Sequence, residues 1–193
     1  MKSANTAKKQ RKPQVSRSVA VNSTGARPAD SPLTSRQITR LRRSFAQVQK
    51  KAGIAALMFY RHLFTLDPSL RKLFHSDIEI QGRKLMDALA FVMKSLEKPD
   101  ELEPILEAMG RRHTTYGVRD EHYDIVIRAF ILALEESLGG RFDTESACAW
   151  RLALENVAAV MKIGAASIGA HSAFANQKIE MVSHSIDRGR KIN

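Results

Sequence analysis

Apolar residues recur at helical intervals from Thr34 onwards, and nowhere do they alternate long enough to make a convincing strand. The first periodic segment opens at "TSRQ", where Thr34 stands three residues before Gln37. That is the spacing of a capping box. Ile38, Leu41, Phe45 and Val48 then line one face. Residues 52–66, which contain "IAALMFYRHLF", are apolar nearly all round, as expected of a buried helix. Asp67-Pro68 offers an N-cap and a first-turn proline to the short segment "SLRKLF". A further helix is expected from about Ile80 to Leu96, and "EKPDELEP" separates it from a short one ending near His113. "VRDEHY" begins the next, with Tyr123, Ile127, Phe130 and Leu134 on one side. Gly139-Gly140 stops it, and Asp143 is placed to cap a last long helix carrying Trp150, Ala153, Val157 and Met161. The expected fold class is all-α.

Two polar residues interrupt this pattern. Gln81 stands at the end of the stripe Leu85, Ala88, Leu89, Val92, and His113 lies four residues beyond Met109 on the face of Leu102, Ile105 and Leu106. A buried polar group without a partner costs about 1–3 kcal/mol. Either both hydrogen-bond to backbone inside the core, or they face something bound. Tyr60, on an otherwise apolar helix, adds a third polar group. An all-helical body with such a trio facing an apolar interior suits a planar, mostly apolar cofactor.

Composition narrows the picture. The 193 residues suffice for one domain of ordinary size, and no apolar run is long enough to span a membrane. A lone cysteine, Cys148, excludes an internal disulfide and a multi-cysteine metal site. The net charge of +11 invites a nucleic-acid partner, so its distribution matters. Residues 1–33 hold seven Lys/Arg against one Asp, whereas the body is nearly balanced. The basicity therefore belongs mostly to a disordered-looking arm, suited to weak contact with an acidic partner. Three regions are expected: a basic arm over 1–32, a helical domain over 33–170, and a tail over 171–193. Scattered apolar positions in the tail (Phe174, Ile179, Val182, Ile186) allow a further helix. The arm lacks the apolar core of a secretory signal, so a cytoplasmic location is expected, with organelle import as a lesser alternative.

The stretches "FYRHLFTLDPSLRKLF", "QGRKLM" and "GRRHTTYGVRDEHYDIV" resemble the globins. More narrowly, they resemble the bacterial single-domain haemoglobins and the globin module of flavohaemoglobins, over about residues 33–168. The resemblance implies a globin fold of about seven to eight helices around haem b. It makes His113 the ligand to the iron, a neutral imidazole whose other nitrogen donates to a carbonyl such as that of Met109. Phe74 would wedge against the haem face. Tyr60 and Gln81 would be the distal pair, a phenol O–H and an amide N–H aimed at a ligand carrying partial negative charge. Leu85 would close the pocket above the iron, and Lys84 would reach a haem propionate from the rim. Tyr123 matches a tyrosine near the proximal histidine, where the family completes the set with a glutamate. Here that place falls at Ala165, which weakens the expectation of flavohaemoglobin-grade turnover. His62 and His75 are not expected to bind iron, although His75 is the nearest rival, and His122, His171 and His184 are expected to be exposed.

The function implied is reversible binding of dioxygen for storage, delivery or sensing. The first alternative is a nitric oxide dioxygenase. It would draw electrons from a separate reductase, since the chain shows no G-x-G-x-x-G fingerprint and no room for a reductase module. A haem-free helical interaction module with a basic arm is the second alternative.

Overall fold

The capping chemistry read in the sequence sets most helix starts. Thr34 Oγ1 accepts the backbone N–H of Gln37, and the Gln37 side chain accepts the Thr34 N–H at 2.8 Å. This computed structural model describes residues 32–74 and 77–190, with side chains through residue 167. The expected basic arm over 1–32 lies almost wholly outside the described residues, as do His75 and the side chains of His171 and His184. The helices are α1 (Ser35–Gln49), α2 (Ala52–Leu66), α3 (Ile78–Ser95), α4 (Pro99–Thr115), α5 (Asp120–Leu138) and α6 (Thr144–Arg190). Short 3₁₀ segments, Pro68–Leu73 and Gly139–Arg141, join α2 to α3 and α5 to α6. No strand occurs among the described residues.

Several boundaries differ from expectation for local reasons. α3 starts at Ile78 because Asp77 Oδ1 accepts the Glu79 N–H at 2.7 Å. α4 is a full helix of 17 residues, not a short one. The "EKPDELEP" stretch begins the helix rather than separating two: Pro99 occupies its first turn, and Asp100 and Glu101 complement the positive end of the dipole. Pro104 sits inside α4 on an exposed position. α6 runs on to Arg190, through the segment where a further helix was only weakly signalled. α2 is not buried all round. Phe59, Tyr60 and Leu63 are buried, while Ile54 and Leu57 are about half exposed, at 53% and 52%.

Two adjoining clusters form the core. One gathers Leu41, Phe45, Met86, Leu106, Ile131 and Trp150 from α1, α3, α4, α5 and α6. The other joins Phe59, Tyr60 and Leu63 of α2 to Leu70 and to Phe130 and Ala133 of α5. The α1–α6 seam carries a buried hydrogen bond from Trp150 Nε1 to Ser44 Oγ at 2.8 Å. At its edge Arg40 pairs with Asp143 at 2.8 Å and with Glu145. α4 lies along α6 and meets α3 at few positions. No described helix is long and apolar enough to cross a membrane.

Candidate functional site

α3 and α4 each bury one ridge and leave the neighbouring ridge open. On α4, Leu102, Leu106 and Gly110 are buried, four residues apart, while Ile105 is 40% exposed and Met109 and His113 are half-buried. On α3, Gly82, Met86 and Met93 are buried, while Gln81, Leu85, Ala88 and Leu89 are only half-buried. Successive residues of an i±4 row lie along one line of the helix surface. The unburied lines are therefore apolar and end in Gln81 on one helix and His113 on the other. Leu85, Leu89 and Met109 still pack against the core clusters, and the part of these lines left exposed is suited to a ligand or partner.

The last turns of α4 hold His113 in a defined state. Its Nδ1 lies 2.8 Å from the carbonyl oxygen of Met109, one turn back, so Nδ1–H donates and the lone pair is left on Nε2. Burial pushes the imidazole below the usual histidine range, opposed by that hydrogen bond and reinforced by the nearby Arg112 charge. The ring is thereby neutral at physiological pH, the form in which histidine binds metals. Beyond it the chain turns at Gly117, whose φ of 85° is left-handed, while the Tyr116 and Val118 N–H groups donate to the His113 carbonyl at 3.1 Å. Among the described residues no three His, Cys, Asp or Glu side chains gather to hold a bare metal ion. A metal at Nε2 would have to arrive with its other ligands.

Tyr60, Phe74 and Leu85 come together in the second core cluster. The Tyr60 ring is edge-on to Phe74, with centroids 5.3 Å apart, and Phe74 is edge-on to Phe64 at 5.6 Å. Tyr60 is buried, its phenol forms no hydrogen bond with a described residue, and burial pushes its pKa up to about 12. It is therefore a neutral O–H donor with no hydrogen bond to a described residue. Gln81 is half-buried one turn before Leu85, and Lys84 is exposed. Tyr123 is buried on α5, its Oη has no hydrogen-bond partner among the described residues, and Lys162 Nζ stands 5.4 Å from its ring centroid. Burial, followed by the Asp120 charge, raises its pKa. Ala165, half-buried, offers no carboxylate there.

Two other histidines are engaged elsewhere. His62 Nε2 meets Glu136 at 2.8 Å, and Arg61 pairs with the same carboxylate. His122, expected to be exposed, is 5% exposed and buried. Its Nδ1 accepts the Arg119 N–H at 3.1 Å, reaching back from the third helical position to the cap of α5, a task usually given to Glu or Gln. The feature least accessible from sequence is the packing at Gly110. It is a local blank in the pattern whose meaning depends on α6, more than fifty residues further along the chain.

Comparison with known proteins extends these observations. The family model described as Globin matches residues 57–161. A flavohemoprotein of Bordetella parapertussis is 30% identical over 130 residues, covering 65% of this chain and 32% of that protein. The chain thus spans about a third of the length of that relative. Among solved structures, an engineered carbene transferase from Rhodothermus marinus, whose parent is named as a candidate nitric oxide dioxygenase, superposes with a TM-score of 0.66 at 28% identity. It covers 73% of this chain and 99% of that one. A bacterial globin from Campylobacter jejuni superposes at 0.63 with 22% identity, over 71% and 99% of the two chains, and speaks for the fold alone.

Proposed function

The chain belongs to the globin family, of the bacterial haemoglobin and flavohaemoglobin-module type, and on that premise we propose that it binds haem b through His113 and takes up dioxygen reversibly. The observation that carries this reading is His113 itself: a neutral imidazole, tied at Nδ1 to the Met109 carbonyl, with no described residue hydrogen-bonded to Nε2. The donor set would suit haem, which would bring the further ligands its iron needs, since among the described residues no three His, Cys, Asp or Glu side chains gather around one point. The half-open apolar lines of α3 and α4 suit a flat apolar ring, and the buried, neutral phenol of Tyr60 suits a polar ligand.

Haem would supply a reducible iron with an open position for a diatomic gas. The protein's share is orientation, exclusion of water and hydrogen bonding. Phe74, braced by Tyr60 and Phe64, would press on the ring face, and Leu85 would cover the open side. Tyr60 and Gln81 would donate to the gas, and a donor in a dry site is worth more than one in water. Lys84, exposed on α3, would meet a propionate at the rim. Tyr123 would pack beside His113 without a carboxylate to draw its proton, leaving the imidazole close to neutral and its electron push modest.

Nitric oxide dioxygenation with electrons from a separate reductase is the second reading. It is favoured by the name of the Rhodothermus marinus relative's parent and by the flavohemoprotein matches. The absence of a carboxylate at Ala165 favours the carrier over it. An absorption spectrum of the purified ferrous protein, with and without oxygen, tests the first proposal beside His113→Ala. Wild type is expected to show a strong Soret band that shifts on oxygenation, and the variant to lose most of its haem. A colourless wild type would sink both readings and leave a haem-free helical module. Nitric oxide added to the oxygenated form separates the two: sustained nitrate production under a reductase identifies the enzyme, and a single stoichiometric conversion the carrier.

A further inference from the structure

α4 and α6 run antiparallel and touch backbone to backbone at two points. A Cβ on Gly110 would fall 1.9 Å from the carbonyl oxygen of Met161, and a Cβ on Gly164 would fall 2.1 Å from that of Glu107. The contacts are reciprocal: each glycine is blocked by the residue three places before the other glycine. Gly82 differs in kind, since its Cβ would meet only the Ala56 Cβ, at 2.9 Å. Gly53 and Gly140 have open space around them. Gly110 and Gly164 therefore form an interlock in which neither helix can retreat by turning a side chain.

We propose that the Gly110–Gly164 interlock is a positioning device that sets how far His113 Nε2 reaches towards its cofactor; this rests on the haem-ligand role proposed above for His113. Met109, Gly110 and His113 occupy one turn of α4, and the Met109 carbonyl holds the His113 ring at 2.8 Å. Glycine contact and imidazole thus move as one body. An alanine at 110 would need about 1.5 Å more room, the difference between 1.9 Å and the 3.4 Å of ordinary van der Waals contact. α6 is the firmer partner, because Ala149, Trp150 and Ala153 are buried in the core, whereas α4 has few contacts with α3 on another side. α4 is the helix that yields. Functional groups must be held within roughly 0.5 Å of productive geometry, so a shift of this size exceeds the tolerance threefold.

The test is resonance Raman spectroscopy of the deoxygenated ferrous holoprotein, read at the iron–histidine stretching band. Helix content by circular dichroism is measured alongside. Gly110→Ala and Gly164→Ala are expected to keep their helix content but lower the frequency of that band or abolish it. Gly82→Ala, which strains the α2–α3 contact instead, should leave the band in place. The decisive comparison uses a His113→Gly background in which free imidazole occupies the vacated position. There the ring is no longer tied to α4, so adding Gly110→Ala should leave the iron–imidazole band unmoved. An unchanged band in Gly110→Ala would overturn the proposal, as would an equal shift in the imidazole-complemented background, which would mark the glycine as general packing. Should Gly110→Ala not fold, Gly164→Ala carries the same comparison from the other helix. A wild-type holoprotein that binds haem but lacks the iron–histidine band would instead refute the ligand role of His113, with the interlock falling as a consequence.

Discussion

Replacing Ser44 by alanine removes one hydroxyl from the α1–α6 seam, and its cost follows from three distances. Ser44 Oγ donates to the carbonyl of Arg40 at 2.8 Å or that of Leu41 at 3.0 Å, and accepts Trp150 Nε1–H at 2.8 Å. The helix carbonyls keep their backbone partners when the hydroxyl goes. The indole N–H has no alternative, since Trp150 is only 1% exposed. A buried donor left unsatisfied costs about 1–3 kcal/mol. Alanine is the better helix former, by up to about 0.5 kcal/mol, which offsets part of that. The orphaned donor wins, and a net loss of roughly 1–2 kcal/mol is expected. For a chain of this size each kcal/mol lowers Tm by about 2–4 °C. Equilibrium urea unfolding followed by circular dichroism measures it directly. The sharper assay is a double-mutant cycle with Trp150→Phe, which removes the donor. In that background Ser44→Ala should cost nothing, or stabilise slightly through helix propensity. Equal losses in both backgrounds would refute the reasoning and mark Ser44 as a packing residue only.

Tyr60→Phe removes the phenol O–H while preserving the ring contact with Phe74. It should speed oxygen dissociation from the ferrous protein by an order of magnitude or so, the loss of a charge-assisted hydrogen bond of about 1.5 kcal/mol; an unaltered rate in flow or flash kinetics would remove Tyr60 from the distal site. Asp143 has its pKa lowered to about 2 by the Ser146 hydroxyl and N–H and by Arg40, against an ordinary 3.8. The unfolded chain therefore takes up the proton first, and the stabilisation, complete above about pH 3.8, is lost as pH falls towards 2. Asp143→Asn should flatten that part of the acid-unfolding profile, and parallel profiles for variant and wild type would contradict the assignment.

Helix starts were legible because their chemistry is local. Thr34 with Gln37, Asp67 with Pro68, and Asp143 with the Ser146 N–H at 2.8 Å each need only three or four consecutive residues. Residues that depend on distant segments were harder. The prolines of "EKPDELEP" suggest a break, yet a proline in the first turn costs a helix nothing, and α4 begins there. Ile54 and Leu57 suggest an all-round buried α2, yet both stay about half exposed among the described residues. His122 looks like a solvent residue until its ring turns back onto the Arg119 N–H. The Gly110–Gly164 contact joins two segments that no local pattern connects.

The candidate site shows where the limit of periodicity lies. Residues three and four apart both count as one face, so the sequence pattern merges adjacent ridges of a helix into a single inward stripe. By spacing Gln81 and His113 belong to that stripe, which predicts burial with an unmet hydrogen-bonding demand as the sign of a ligand. In the folded chain the stripe divides. Leu102, Leu106 and Gly110 enter the core, while Ile105, Met109 and His113 stay at its margin. A half-buried imidazole is not forced to find a partner, so its desolvation is not what points to a cofactor. What points there is asymmetry. One nitrogen of His113 is fixed by the Met109 carbonyl, no described residue hydrogen-bonds the other, and on the same line Ile105 is 40% exposed and Met109 half-buried. Burial of about 100 Å² of such surface contributes roughly 2.5 kcal/mol, so a flat apolar ligand laid along these lines gains affinity before any bond to Nε2 forms. The bond to Nε2 then adds both retention and orientation, so its loss empties the site whereas a shift of its helix only weakens the bond. This is why removing the imidazole and shifting its helix are expected to leave different spectroscopic signatures.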